Sequence, residues 1–136
     1  KEYNVGDYSS LDAFNRRLME IIDLAYKNKG NVVLCTPLAQ PYHHNGVLIE
    51  RLGAYAEAIR RVGQYKHVAV VDLEKATREW LSSMTQEEAA EYYVTFDVAK
   101  GEYQLNAAGA AKVASLAKQA ILDIDSKKLK RIIRKK

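Results

Sequence analysis

Cysteine, proline and tryptophan are scarce in this chain, whose 136 residues include one cysteine, two prolines and one tryptophan. A lone thiol cannot close an internal disulfide and offers no CxxC spacing for zinc or redox chemistry. Disulfide-stabilised folds and CxxC zinc or redox proteins are therefore excluded. No apolar run approaches the roughly 18 residues that a membrane-spanning helix needs. Lys1 to Ser10 contain no apolar core of a signal peptide, although a mature chain after cleavage would look the same. We expect no membrane association and leave the compartment open.

The positive charge is concentrated at one end of the chain. The net charge is +4, yet Lys127 to Lys136 contain seven basic residues and no acidic one, which leaves residues 1–126 with a net charge of −3. An acidic body argues against a nucleic-acid-binding face on it. We therefore predict one domain over residues 1–126 and a basic tail over residues 127–136, which is either a terminal helix or a partner-binding segment.

The apolar pattern predicts helices that alternate with short buried strands. The predicted helices cover residues 11–29 with Ser9 and Ser10 as caps, about 47–63, 73–82, 86–92 with Thr85 as cap, and 107–122 with Asn106 as cap. The predicted strands cover residues 31–36 and 67–73. Residues 93–97 fit either a strand or an extended loop. Continuous apolar strands are typical of a parallel sheet covered on both faces, so the class is α/β with right-handed crossovers, and Cys35 is expected to be buried.

Two predicted strands are too few for a complete sheet. The outer N–H and C=O groups of a two-stranded parallel sheet have no partners, and both runs are too apolar for exposed edges. Either further strands come from another chain, or this sequence is part of a larger domain.

Several segments occur in an order and spacing that resemble one enzyme family. They are the helix Leu11–Gly30, the run Val33–Gln40 with Thr36-Pro37, Gly46 followed by Leu52–Arg60, the strand Val68–Leu73, and Leu105–Ala114. Together they resemble the C-terminal half of SGNH (GDSL) carbohydrate esterases of the rhamnogalacturonan acetylesterase branch. The resemblance implies a three-layer, flavodoxin-like parallel sheet of which only the C-terminal strands and helices are present, and a secreted or periplasmic location.

The catalytic residues of that family are missing from this sequence. In the family, a serine in a Gly-Asp-Ser block attacks an ester, a histidine takes the serine proton, and an aspartate orients the imidazole. No Gly-Asp-Ser occurs here, and the aligned aspartate and histidine positions hold Gly101 and Gln104. An amide cannot accept a proton at neutral pH, so Gln104 cannot be the general base. Gln40 replaces the arginine that follows Thr-Pro, and the resemblance implies no cofactor.

Two histidines are candidates for substrate contacts. His43 and His44 follow the end of a predicted strand, where α/β sheets place their ligands. Adjacent histidines can also contribute to a metal site, but the sequence offers no third ligand that can be named, so no metal is expected. The alternative is an exposed loop without a binding function.

A group of aromatic residues near the altered catalytic motif is another candidate. It comprises Tyr92, Tyr93, Phe96 and Tyr103. Aromatic faces pack against sugar rings, so Tyr103 and its neighbours are candidates for a carbohydrate surface, and core packing is the alternative. Asp72 ends a strand and is either a site contact or a helix cap. Asp97 either takes over the role of the missing catalytic aspartate or is a hydrogen-bond partner in a loop.

Three hypotheses about function follow. The first is an SGNH esterase-like half-domain that is inactive alone and associates with a complementary half or with itself, with polysaccharide as a possible ligand. The second is the C-terminal part of an active carbohydrate O-acetylesterase whose serine half is separate. The third is an acidic-glycan or nucleic-acid binding module that uses the basic tail.

Overall fold

A computed structural model describes residues 5–124, with side chains from Leu11 onward. The basic tail, residues 127–136, lies outside the described residues, and so does the end of the predicted domain. The described elements are α1 (Val5–Lys27), β1 (Val33–Cys35), β2 (His43–His44), β3 (Val47–Leu48), α2 (Gly53–Lys66), β4 (Ala69–Val71), α3 (Leu73–Ser82), α4 (Gln86–Ala90), β5 (Tyr93–Asp97), β6 (Glu102–Leu105) and α5 (Ala107–Leu122).

The strands of the described residues form three two-stranded sheets. β1 and β4 pair in parallel with Leu34 opposite Val70, and α2 makes the crossover between them. The pairs β2–β3 and β5–β6 are antiparallel hairpins. The predicted α/β class with a parallel strand pair is thus confirmed.

The main core lies between the parallel strands and the first two helices. Its buried members are Ile22, Leu34, Ile59, Val62 and Val68, and Phe14 and Leu18 of α1 pack against them. Gly63 of α2 allows close packing on the sheet, because a Cβ at that position would overlap the side chain of Val70. A second cluster of Ala39, Leu81 and Ala89 joins the segment after β1 to α3 and α4.

The predicted starts of two helices were wrong. α1 begins at Val5, so Ser9 and Ser10 lie inside the helix instead of capping it. α2 begins at Gly53 rather than Val47, because residues 43–48 form a β-hairpin. Its turn is Asn45-Gly46, with φ of 52° and 77°, and this dipeptide favours the two-residue turns that join hairpin strands.

The region before α5 forms a second hairpin that the sequence did not predict in full. Tyr93–Asp97 is a strand, and Glu102–Leu105 pairs with it in antiparallel fashion. Gly101 sits in the connecting turn with a φ of 67°, a conformation that favours glycine. Asn106 then caps α5, as predicted, by accepting a hydrogen bond from the Gly109 N–H at 2.9 Å.

Burial at the parallel strands differs from the prediction. Leu34 is buried, but Cys35 is exposed and Val33 is 41% exposed, so β1 is not covered on both faces. Two large apolar residues of the flanking helices, Ile21 of α1 and Ile121 of α5, are also 61% and 41% exposed. The reason is that a strand and its flanking helices are buried only where further elements cover them, and β1 has one strand neighbour among the described residues.

Candidate polar site at the carboxyl ends of the parallel strands

Thr36 and Asp72 meet at the carboxyl ends of β1 and β4, the edge where parallel sheets carry their functional groups. The Thr36 hydroxyl donates to Asp72 Oδ1 at 3.0 Å and accepts the Glu74 N–H at 2.8 Å. Asp72 also caps α3, because its carboxylate accepts the Lys75 N–H at 3.2 Å. Of the two alternatives for Asp72, the helix cap is confirmed, and the same carboxylate belongs to a larger polar cluster.

Arg60 of α2 binds two carboxylates of that cluster. Its Nε and Nη2 donate to Asp72 at 2.8 and 3.0 Å in a two-point contact, and Nη2 also donates to Glu74. Burial tends to raise the pKa of the Asp72 carboxyl, but the hydrogen bonds from Arg60 and Lys75 outweigh it, and the pKa is lowered. The contact therefore ties α2 to the end of β4 with an ionised pair.

Glu74 is the most enclosed charge of the cluster, with 0% exposure. Arg78, one turn along α3, donates from Nε to Glu74 Oε2 at 2.9 Å. Burial acts to raise the pKa of Glu74, yet hydrogen bonds from Glu50, Arg78 and Arg60 keep it below its usual range. A buried carboxylate is tolerated here because two guanidinium groups surround it.

Glu50, in the segment between β3 and α2, completes the cluster. Its carboxyl and that of Glu74 face the same guanidinium group, because Arg78 Nε lies 3.7 Å from Glu50 Oε2 and 2.9 Å from Glu74 Oε2. The hydrogen bond to Glu74 and then burial raise the pKa of Glu50 to about 7, against the opposing charges of Arg78 and Arg60. Two carboxyl groups in contact share a proton, so this group titrates near neutrality.

The contacts of this polar cluster hold secondary-structure elements together and leave no activated nucleophile. The Thr36 hydroxyl already donates to one carboxylate, and Asp72 and Glu74 are engaged by guanidinium and N–H groups. No imidazole is hydrogen-bonded to Thr36 among residues 11–124, so the hydroxyl has no adjacent base to activate it. The cluster joins α2, α3 and both parallel strands.

The two adjacent histidines do not act as a pair. His43 is buried: its Nε2–H donates to the Leu81 carbonyl at 3.1 Å, and its main-chain N–H donates to Gln86 at 2.9 Å. His44 is exposed on the other side of the same short strand. Both residues belong to β2 instead of a loop, and only His44 has the exposure that this alternative expected. The Nδ1 of His43 is buried without a hydrogen-bond partner in the described structure. Among the described residues, no group of three or more acidic, histidine or cysteine side chains could hold a metal ion.

The altered catalytic positions lie on the β5–β6 hairpin. Gly101 is in the turn, and Gln104 is exposed on β6 opposite Thr95. Tyr103 packs edge-on against Phe96 with ring centroids 5.2 Å apart, and burial raises the pKa of its hydroxyl. Because neighbouring residues on a strand point to opposite sides, Tyr103 and Gln104 do not share a surface.

The predicted aromatic group is divided between two places. Tyr93, Phe96 and Tyr103 form edge-to-face pairs within the hairpin, whereas Tyr92 pairs with Trp80 of α3 at 5.0 Å. These contacts pack the two strands of the hairpin against each other. The carbohydrate surface stays a prediction.

A separate aromatic–cation contact lies near the hairpin turn. The Arg51 guanidinium sits 4.1 Å from the centre of the Tyr42 ring, and its Nη1 is 3.6 Å from the position that a Cβ of Gly101 would occupy. Gln40 is partly buried, and its main-chain carbonyl accepts a hydrogen bond from the Tyr42 N–H at 2.9 Å. The segment after β1 therefore approaches the Gly101 turn through Tyr42 and Arg51.

Sequence reasoning missed most of the polar cluster. Arg60, Glu74, Arg78 and Glu50 were not singled out. The spacing of Glu74 and Arg78, four residues apart on a helix, is a signal for an ion pair, but it does not indicate that the carboxylate is buried.

The comparisons with known proteins give no relative for this chain. No family model matches it, and neither the curated proteins nor the solved structures give a significant match. Separately, no helix in residues 5–124 has the length and apolar character to span a bilayer.

Proposed function

We propose that this chain is the C-terminal part of an SGNH carbohydrate acetylesterase-like domain, inactive alone, which takes a further parallel strand beside β1 from a complementary half or a second copy. The three-layer, flavodoxin-like arrangement belongs to this proposal. Its supports are the resemblance of the segments between Leu11 and Ala114, the parallel pair of β1 and β4, and the unpaired edge of β1.

The edge of β1 is the observation that carries the proposal. The Thr36 N–H donates to the Val71 carbonyl at 3.1 Å, which fixes the side of β1 that bonds to β4. In a parallel ladder alternate residues bond the same neighbour, so the N–H and C=O groups of Val33 and Cys35 point to the other side. Both residues are exposed, and an apolar unpaired edge is a template for another strand.

The exposed face of α1 supports a strand at the same place. Ile21 is 61% exposed and Leu24 is 59% exposed, although both belong to the helix that leads into β1. In a right-handed crossover, a helix that precedes a strand also covers the strand before it. A strand added beside β1 would therefore find apolar side chains of α1 above it.

The missing proton relay supports the inactive state of the chain alone. Gln104 offers an amide where the resembled family has an imidazole, and the buried His43 donates to a main-chain carbonyl. We expect no turnover of p-nitrophenyl acetate above the uncatalysed rate by the isolated chain, measured as nitrophenolate release. Saturable turnover by the chain alone would contradict the proposal.

Size-exclusion chromatography with light scattering tests the association. We expect the chain to be a dimer or larger species at micromolar concentration, because the apolar edge and the α1 face are otherwise in water. Val33→Lys places a charge on the edge strand and is expected to shift the mass toward the monomer. Val94→Lys is the matched control, because Val94 is 70% exposed on β5, a strand of a different sheet. A stable monomer at all concentrations, or equal effects of both variants, would count against the proposal.

A further inference from the structure

Glu50 stands between a buried carboxylate and the start of a helix. It lies three residues before the first residue of α2, and it faces Glu74 of α3 across Arg78, whose Nε is 3.7 Å from Glu50 Oε2 and 2.9 Å from Glu74 Oε2. Its Oε2 also lies 3.0 Å from the position that a Cβ of Gly53 would occupy, and Gly53 is the first residue of α2. One side chain is thus within reach of two different partners.

The start of α2 lacks the side chains that usually accept hydrogen bonds from the free N–H groups of a helix. Leu52 is the capping residue and makes no side-chain hydrogen bond, and the first turn contains no acidic residue. The first N–H groups of a helix have no partner within it, and the helix dipole makes that end attractive to negative charge. An ionised carboxylate beside Gly53 would meet both needs.

We propose that Glu50 is a proton-dependent switch, which donates a hydrogen bond to Glu74 when protonated and turns to the N–H groups at the start of α2 when ionised. The proton leaves to solvent, and no covalent bond forms or breaks. Glu74 cannot move away from the resulting repulsion, because it is buried and held by Arg60 and Arg78. Glu50, whose side chain is 40% exposed, is free to turn.

The charges that face Glu50 place the switch near neutral pH. Glu74 of α3 raises the pKa of Glu50 by its hydrogen bond and its charge, while Arg78 of α3 and Arg60 of α2 lower it, with a result of about 7. The protonated arrangement therefore prevails below neutrality and the ionised arrangement above it. Arg51, whose guanidinium contacts the Tyr42 ring, follows Glu50 directly in the sequence.

NMR spectroscopy on the full chain from pH 5 to 9 tests the proposal through the amide chemical shifts of residues 53–55. We expect them to titrate with a midpoint within about one pH unit of 7, and this transition to disappear in Glu50→Gln. Glu79→Gln is the matched control, since Glu79 is an exposed residue of α3 that forms no ion pair within residues 11–124. It should leave the transition unchanged.

Two results would overturn the switch. One is an amide transition near neutrality that persists in Glu50→Gln, which would assign the proton to another group. The other is a titration of the Glu50 side-chain carboxyl carbon near 4.5, its ordinary pKa, in the unaltered protein. That second measurement needs no variant, so it decides the matter even if Glu50→Gln does not fold.

Discussion

The two boundaries of the parallel strand pair differ in how their polar groups are satisfied. At the carboxyl ends, Thr36 and Asp72 are enclosed in the polar cluster, in which each carboxylate meets a guanidinium or N–H donor. Along the outer edge of β1, the main-chain groups of Val33 and Cys35 have no described partner. The chain therefore satisfies the polar groups of one boundary by itself, and we propose that a further strand satisfies those of the other.

The largest expected effect comes from removing the buried charge at the satisfied boundary. Glu74→Ala leaves Arg60 and Arg78 without their shared partner, and loss of one member of a buried ion pair typically costs 3–5 kcal/mol. We expect the free energy of unfolding, measured in urea, to fall by about 3 kcal/mol. Glu79→Ala on the same helix should change it by less than about 0.5 kcal/mol. Equal effects of both substitutions would show that the polar cluster does not hold this boundary together.

The pH dependence of the free energy of unfolding gives a second test of the polar cluster at the carboxyl ends of the strands. The folded-state pKa of Glu50 is raised from 4.5 to about 7, so its stabilising effect is complete below about pH 4.5 and is lost as the pH rises to about 7. The side chain is 40% exposed, so solvent screening reduces this loss to about 1 kcal/mol. Asp72 and Glu74, whose pKa values are lowered, act oppositely and lose their contribution below their unfolded values of 3.8 and 4.5.

Urea unfolding at a series of pH values checks this expectation. Stability should be greatest in mildly acidic solution, and the decline toward pH 8 should be absent in Glu50→Gln. An unchanged decline in that variant would mean that another group binds the proton on folding.

A smaller effect is expected at the start of α5, away from both boundaries. Asn106→Ala removes the side-chain acceptor of the Gly109 N–H, and loss of such a cap typically costs about 1 kcal/mol. The melting temperature should fall by a few degrees, while Ser115→Ala, at an exposed position of α5, should leave it nearly unchanged. A fall as large as that of Glu74→Ala would mean that α5 contributes more than its cap suggests.

Local signals in the sequence predicted three helix caps and the class of fold, although the predicted caps Ser9 and Ser10 lie inside α1. Asn106, Asp72 and Thr85 cap helices as expected, because capping depends on residues only three positions apart. Asn45-Gly46 carried an equally local hairpin signal that was overlooked, and this misplaced the start of α2. Element type is thus readable where the controlling contacts are close in the sequence.

Burial and the polar cluster depended on contacts that a sequence pattern does not specify. Cys35 lies in an apolar run, yet its exposure depends on whether another strand covers β1. Arg60 meets Asp72 and Glu74 across 12 and 14 positions of the chain, because the crossover through α2 places them together. The membership in the SGNH family, the partner and the ligand remain predictions.

Amide hydrogen exchange along β1 tests the central claim most directly. In dilute solution, where the chain is monomeric, Leu34 and Thr36 should be protected by β4, while Val33 and Cys35 should exchange rapidly. At the concentration where association occurs, or with a complementary half present, Val33 and Cys35 should gain protection of at least tenfold. Association that leaves these two amides unprotected would contradict the account, because the added element would not be a strand at this edge.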